Sequence, residues 1–166
     1  MKKLITICLV MASTFALQAQ IKQQECPMCC WASCIQSCLV QANIYQEQSE
    51  IVSKVTGGLP ANIPANANQV ANVLKYYHFK AWVIPYPANE QVLLNTLASG
   101  WKIIAFVNPS NNPNIGHFII LQGVTPYKQI IISDPSNGQT YVQSPLQLYN
   151  LWNWGGSVVV GTPNGN

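Results

Sequence analysis

Two hydrophobic periodicities follow one another along the chain, and their order is the feature that most restricts its fold. In the first half, apolar residues recur at helical spacing, beginning with the segment 27–43. A second helical segment covers 46–56, and a third follows a capping Asn66 or Asn68. The first half of the chain is therefore predicted to be helical.

The second half is rich in β-branched and aromatic residues, which predict strands. These runs lie at 80–86, 102–107, 117–124, 129–133 and 157–160. Two short helices are expected among them, one over 89–98 and one beginning at Ser144, where Pro145 suits the first helical position. Helices followed by strands predict an α+β fold.

Residues 1–19 have the composition of a secretory signal peptide. Lys2 and Lys3 form a charged start, an apolar stretch follows, and Ala19 supplies a small residue for cleavage. A membrane anchor is the alternative, but the apolar stretch is shorter than the roughly 20 residues that a helix needs to span a bilayer. We therefore expect a secreted or periplasmic protein with one domain over 20–166 and no stable membrane association after cleavage.

Charge is scarce in this chain. Only 8% of its 166 residues are charged, whereas 49% are hydrophobic, so the chain is expected to bury one core. Eight lysines less Lys2 and Lys3 leave six against five acidic residues, and arginine does not occur. The resulting net charge of +1 provides no basic stripe for phosphates, so nucleic acid is not expected as a partner. No cofactor is expected, and the chain is expected to act as a monomer.

Five of the six cysteines are concentrated in a short segment; they are Cys26, Cys29, Cys30, Cys34 and Cys38. Disulfides persist in the oxidising compartments that exported proteins enter, and an odd number of cysteines there leaves one thiol free. The simplest expectation is two disulfides among the other four cysteines, with Cys30 free. The sequence does not select their pairing.

Cys30 is a candidate nucleophile because it lies in the first turn of the first predicted helix, where the helix dipole stabilises a thiolate. His117 begins one predicted strand and Asp134 ends the next, and the hairpin between these strands brings both to the same end of the sheet. A cysteine, a histidine and an orienting carboxylate are the groups that nucleophilic acyl transfer requires. His78, the other histidine, lies beside aromatic residues near a helix end and is interpreted as a packing or surface residue.

The sequence resembles the papain-like cysteine peptidases at Gln24, Cys30-Trp31-Ala32, Gly116-His117 and Asp134-Pro135. The resemblance implies a papain-like fold in which the nucleophile helix of an N-terminal helical half packs on a C-terminal antiparallel sheet. It implies a triad of Cys30, His117 and Asp134 that hydrolyses peptide bonds in a peptide or protein substrate. Gln24 would supply a side-chain donor to the oxyanion. The chain is most similar to a bacterial branch that includes bacteriocin-leader-processing peptidases and papain-like effector proteases of plant pathogens.

The glutamine spacing does not by itself select the nucleophile. Gln24 lies six residues before Cys30, and Gln23 lies six residues before Cys29. Trp31 favours Cys30, because the family tryptophan directly follows the nucleophile.

Three other interpretations remain open for the cysteine-rich segment. Cys26 and Cys29 have the C-x-x-C spacing of a thiol redox site, although no βαβ pattern precedes them as a thioredoxin-like fold would require. Cys26, Cys29, Cys34 and Cys38 could bind zinc, although their spacing is compressed. Finally, the chain could be a catalytically inert papain-like binding module. The joint presence of cysteine, histidine, aspartate and glutamine disfavours that third interpretation.

Overall fold

The computed structural model describes residues 21–59, 61–85, 87, 89–110, 112 and 116–163. The predicted signal peptide lies outside the described residues. The elements are α1 (Cys30–Gln41), α2 (Gln48–Thr56), α3 (Ala67–Tyr76), β1 (Phe79–Ile84), α4 (Glu90–Ala98), β2 (Lys102–Val107), β3 (His117–Val124), β4 (Ile130–Asp134), β5 (Gln139–Gln143), α5 (Pro145–Leu151) and β6 (Ser157–Pro163). Three helices precede a strand-rich part, so the predicted α+β class is confirmed.

Several helices begin where the sequence places a capping side chain. Asn66 Oδ1 accepts a hydrogen bond from the backbone N–H of Gln69 at 3.0 Å, and Asn89 Oδ1 accepts one from Val92 at 2.9 Å. Ser144 caps α5 in the same way. Such caps satisfy N–H groups that have no partner within the helix, and this fixes the first residue of each helix.

Helix α1 begins later than predicted. The sequence predicted a start at Pro27, but the helix starts at Cys30. Cys26 and Cys29 are joined by a disulfide, and the N–H of Cys29 donates to the carbonyl of Cys26 at 3.0 Å. The residues from Cys26 to Cys29 therefore form a closed turn, and Cys30 becomes the first residue of the helix.

The six strands form one antiparallel sheet in the order β1-β6-β2-β3-β4-β5. Helices α1, α2 and α3 cover one face, and α4 and α5 cover the other. Alternate residues of β3 serve the two cores: Phe118 and Ile120 pack with α1, whereas Ile119 and Leu121 pack with α4. The central strands are apolar on both faces for this reason. The predicted packing of a helical half on a C-terminal sheet is confirmed, with two further helices behind it.

Helix α1 is the most buried helix of the fold. Every residue from Cys30 to Leu39 is buried, which suits a helix that is surrounded by β3, α2 and α3. Among the described residues, no helix has both the length and the apolar character to cross a membrane.

Candidate active site

His117 and Asp134 meet at one end of the sheet, where the pairing of β3 with β4 ends. The register places Ile120 opposite Ser133, so His117 and Asp134 lie diagonally across the two strands beyond that pair. His117 Nε2 is 2.7 Å from Asp134 Oδ1. The predicted convergence of these two side chains is confirmed.

The surroundings of this pair favour its charged form. Burial alone would lower the pKa of His117, but its hydrogen bonds with Asp134 and with the side chain of Cys30 raise that pKa to about 9. Burial alone would raise the pKa of Asp134, but hydrogen bonds from His117 and Ser136 outweigh it and lower the pKa. The N–H of Ser136 donates to Asp134 Oδ1 at 2.8 Å, which fixes the carboxylate. The imidazole is therefore protonated and held in place at neutral pH.

Cys30 lies against this pair from the opposite element. Its Sγ accepts a hydrogen bond from the backbone N–H of Phe118 at 3.4 Å, and its side chain hydrogen-bonds His117. Because Nε2 of His117 is bound to Asp134, Nδ1 is the ring nitrogen that faces the thiol. The structure thus brings together one predicted residue each from α1, β3 and β4.

The disulfide distinguishes Cys29 from Cys30 chemically. Cys29 is bonded to Cys26, whereas Cys30 is a free thiol. Of the two vicinal cysteines, only Cys30 is available as a nucleophile. This agrees with the choice that Trp31 indicated.

The expectation of two disulfides was wrong. Cys34 and Cys38 are free and buried, one helical turn apart on α1. Neither forms a disulfide, and Cys34 Sγ instead donates to the carbonyl of Phe118 at 3.5 Å. The disulfide also removes two of the four ligands that a zinc site would need. Within the described part of the chain, no group of three or more His, Cys, Asp or Glu side chains could hold a metal ion.

Gln24 lines the same cleft as Cys30, as the sequence predicted. Its backbone N–H donates to the carbonyl of Pro135 at 2.8 Å, which ties the segment before α1 to the turn that follows Asp134. Its side-chain Nε2 donates to the carbonyls of Cys26 and Pro27, both at 2.9 Å. Both amide hydrogens are therefore directed by the turn that the disulfide closes.

Trp31 lines the cleft and also anchors the start of α1. Its side chain is fully buried, and its Nε1 donates to the carbonyl of Ile63 at 3.0 Å. Ile63 directly precedes Pro64, which lines the cleft, so this bond links the helix of Cys30 to a second segment of the cleft wall. The sequence did not indicate this contact.

The cleft has a volume of about 940 Å³. Among its described lining residues, the charged side chains are those of His117 and Asp134. Its walls are otherwise built from small, apolar and uncharged polar residues, which include Pro64, Ala65, Phe106, Trp152 and Gly156. Among the described lining residues, the cleft therefore carries no fixed charge apart from the pair itself.

Phe106 was missed by the sequence analysis, and it explains the glycine before His117. A Cβ placed on Gly116 would lie 1.9 Å from the Phe106 ring, so a side chain at this position would displace the ring. The ring packs with Phe118, at 5.1 Å between centroids. Phe106 thus packs around the backbone on both sides of His117. Because Phe106 lies on β2, no local signal in the sequence around Gly116 could have revealed this contact.

His78 takes no part in the cleft. It is exposed at the turn between α3 and β1, in a left-handed conformation with φ of 64°. Its interpretation as a surface residue is confirmed.

A helix that carries a free cysteine against one end of an antiparallel sheet, facing a histidine from the sheet, is the layout of the papain-like cysteine peptidases. The sequence model of the papain-like cysteine protease AvrRpt2 matches residues 10–153, and the chain belongs to this family. It is a papain-like cysteine peptidase, a hydrolase. The predicted family and enzyme class are confirmed. No curated protein sequence matches the chain.

Solved structures share the fold at low sequence identity. The peptidase domain of Streptococcus ComA, a bifunctional ABC transporter, superposes with a TM-score of 0.66 at 14% identity, over 86% of this chain and 98% of that domain. A protein from Bacillus anthracis described as a C39-like peptidase has a TM-score of 0.65 at 12% identity, over 90% and 98%. A double-glycine-motif protease from an AMS/PCAT transporter, solved in complex with its leader peptide, has a TM-score of 0.61 at 19% identity, over 86% and 91%.

Proposed function

We propose that the chain is an exported peptidase in which Cys30, His117 and Asp134 act as a triad that hydrolyses peptide bonds. The observation that carries this proposal is the contact of His117 with both partners, with Asp134 at 2.7 Å on one ring nitrogen and with the Cys30 side chain. In this geometry Cys30 can act as the nucleophile, His117 as the general acid and Asp134 as the group that orients the histidine.

In the resting site, His117 is the proton carrier and Cys30 the nucleophile. The raised pKa of His117, about 9, keeps the imidazole protonated at neutral pH, and an adjacent imidazolium stabilises a thiolate. The dipole at the start of α1 acts in the same direction. Asp134 holds the ring through Nε2, so the proton on Nδ1 points towards the sulfur.

Acylation transfers one proton and breaks one bond. The Cys30 thiolate attacks the carbonyl carbon of the substrate, and the carbonyl oxygen becomes an oxyanion. His117 then donates its proton to the leaving amine nitrogen as the C–N bond breaks, and a thioester remains on Cys30. In deacylation, His117 takes a proton from water, the hydroxide attacks the thioester, and the carboxylic acid leaves as the thiolate is restored.

The oxyanion is stabilised by the N–H of Cys30 and by the side chain of Gln24. Gln24 can donate only when one of its amide hydrogens moves from a carbonyl of the turn, that of Cys26 or Pro27, to the substrate oxygen. An oxyanion donor typically contributes about 10²–10³ in kcat.

The substrate is an extended peptide with small or apolar side chains near the scissile bond. This part of the proposal is supported by the size of the cleft and its uncharged walls, and a leader peptide occupies the similar double-glycine-motif protease. A monomer suffices for this activity, since one copy of the chain supplies Cys30, His117, Asp134 and Gln24.

Export is supported by the charged and apolar start of the chain. The disulfide between Cys26 and Cys29 agrees with an oxidising compartment, where such bonds persist. The enzyme would then act outside the cytoplasm, as a secreted or periplasmic protein.

The test is peptide hydrolysis by the purified protein, with Cys30→Ala and Cys34→Ala as a matched pair. Both variants remove a thiol from α1, but only Cys30 faces His117. We expect Cys30→Ala to lose all measurable turnover of a fluorescein-labelled casein while keeping its circular dichroism spectrum, and Cys34→Ala to retain turnover. Equal loss in both variants, or turnover in folded Cys30→Ala, would refute the assignment. Absence of turnover in the unmodified protein with retained peptide binding would favour an inert binding module.

A further inference from the structure

The disulfide between Cys26 and Cys29 lies where the nucleophile helix begins. Cys29 is the residue directly before α1, and its carbonyl accepts hydrogen bonds from the N–H groups of Ala32 at 3.0 Å and Ser33 at 3.1 Å. The Cα atoms of the two bonded cysteines are 5.1 Å apart, within the usual range for a disulfide. The bond therefore fixes the residue on which the first turn of α1 is built.

The same closed turn holds the side chain of Gln24. The two carbonyls that accept from Gln24 Nε2 belong to Cys26 and Pro27, both inside the turn. The side-chain oxygen of Gln24 is buried and has no hydrogen-bond partner among the described residues. The orientation of the amide thus depends on acceptors whose positions the disulfide restricts.

The turn also separates two surface depressions. Gln24, Pro27, Met28 and Cys30 line the large cleft. Cys26 and Cys29 line a second cavity of about 290 Å³, whose other described walls are Glu25, Gln48, Ser49, Val52, Ala61 and Asn62. The two depressions share no lining residue, so a small thiol can approach the disulfide without entering the cleft.

We propose that the Cys26–Cys29 disulfide is a positioning device for the oxyanion donor Gln24, and that its reduction lowers the rate of acyl transfer without disabling Cys30. This inference rests on the proposed peptidase function. The two carbonyls keep Gln24 Nε2 in one place beside the cleft, so donation to the oxyanion requires the exchange of one hydrogen bond and no further ordering of the side chain. Opening the turn frees the Cys26 and Pro27 carbonyls, so that the Gln24 amide samples orientations that cannot reach the oxyanion.

The effect should be partial, because other contacts hold the turn as well. The N–H of Met28 donates to Asn62 Oδ1 at 2.8 Å, and the N–H of Gln24 remains bonded to Pro135. Removal of an oxyanion donor costs about 10²–10³ in kcat, so loss of its positioning alone should cost less, about tenfold.

The reduction is an ordinary thiol–disulfide exchange with a dithiol. One thiolate of the reductant attacks Cys26 Sγ, the bond between the two sulfur atoms breaks, and Cys29 leaves as a thiolate that takes a proton from solvent. The second thiol of the reductant then displaces Cys26 from the mixed disulfide. The reductant ends as a cyclic disulfide, two electrons have passed to the protein, and Cys26 and Cys29 are both thiols.

The experiment compares the oxidised protein with protein treated anaerobically with dithiothreitol and then freed of it. Turnover of labelled casein is measured for both forms. The alkylation rate of Cys30 by iodoacetamide is also measured, and fragment spectra distinguish Cys30 from Cys26 and Cys29 in the same tryptic peptide. We expect kcat to fall about tenfold on reduction, with the alkylation rate changed by less than about twofold, because alkylation forms no oxyanion. A general loss of structure would lower both rates together.

Two variants complete the test. The double substitution Cys26→Ser with Cys29→Ser should have the low kcat of the reduced protein and should not respond to dithiothreitol. Gln24→Ala should lose more activity than reduction causes, and reduction should then change its kcat no further. Circular dichroism at the assay temperature verifies that each form is folded.

The outcomes separate this inference from the function on which it rests. Turnover that is unchanged or increased by reduction overturns the positioning role and leaves the peptidase function intact. A reduced Gln24→Ala protein that loses a further tenfold shows that the disulfide acts through something other than Gln24, and this also overturns the proposal. Absence of turnover in every form overturns both.

Discussion

Helix α1 carries three free thiols at intervals of four residues, and its two ends place them in different surroundings. Cys30, at the first position, is 7% exposed and contacts His117 at the cleft. Cys34 and Cys38, further along the same face, are 0% and 2% exposed. Burial raises the pKa of Cys34 well above its usual value and raises that of Cys38 to about 12, although Lys102 opposes the second shift.

The comparison shows that burial alone does not decide whether a cysteine in this protein is reactive. All three thiols are buried, and all three lie on one helix. Cys30 differs because the helix begins there and because a protonated imidazole lies against it. At the other end, the thiols are packed in the core as small apolar side chains.

Alkylation of the native protein tests this contrast most directly. At pH 8 a thiol with a pKa of about 12 has about one thiolate in 10⁴ molecules, so Cys38 should resist iodoacetamide. Within the described residues, we expect non-reduced native protein to be modified at Cys30 alone, and denatured protein at Cys30, Cys34 and Cys38. Fragment spectra of the tryptic peptide 23–54, which contains all three thiols, assign the modification to individual cysteines. Modification of native Cys34 or Cys38 at the rate of Cys30 would remove the distinction.

Substitution of each histidine in turn tests whether the same contrast, between a residue at the cleft and one away from it, holds for the histidines. His117→Ala should lower kcat/KM by about 10²–10⁴, because the site loses its proton carrier. His78→Ala is the matched control, and as an exposed substitution it should leave kcat/KM within about twofold. Steady-state hydrolysis of one peptide by both variants decides the matter, and a comparable loss in His78→Ala would contradict the assignment of the base.

Asp134→Asn should have a smaller effect with a distinct signature. We expect a fall of about 10² in kcat/KM, because the amide no longer holds the imidazole in the required tautomer. The pKa of His117 should fall from about 9 towards 6.5, since the bond to Asp134 is the first of the interactions that raise it. An NMR titration of the imidazole measures this shift. A His117 pKa that stays near 9 in the variant would show that Asp134 is not what holds the proton.

The smallest effect concerns stability. Because the folded protein holds the proton on His117 more tightly than the unfolded chain, the stabilisation is complete below pH 6.5 and is lost as pH rises towards 9. We expect the free energy of unfolding to fall by on the order of 3 kcal/mol over this range. Urea unfolding at pH 6 and pH 9.5 measures the change, and His117→Ala should lack most of it. An equal fall in that variant would assign the pH dependence to other groups.

Much of the fold could be predicted because its signals are local. The helical and strand periodicities, the caps Asn66, Asn89 and Ser144, and the hairpin between β3 and β4 all depend on residues close in sequence. The convergence of His117 and Asp134 belongs to the same class, because a hairpin brings together residues that a short turn connects.

Tertiary structure decided what depends on residues far apart in the chain. The glutamine spacing in the sequence fitted both Cys29 and Cys30 as the nucleophile, and Trp31 favoured Cys30. The structure showed that Cys29 is bonded to Cys26 and that α1 begins at Cys30. The contact of Phe106 with Gly116 joins two strands and leaves no pattern in either. The free state of Cys34 and Cys38, which pack in the core among side chains of other elements, also became visible only in the structure. Local sequence thus determined the elements and the residue types of the site, and packing determined which of its cysteines faces the histidine.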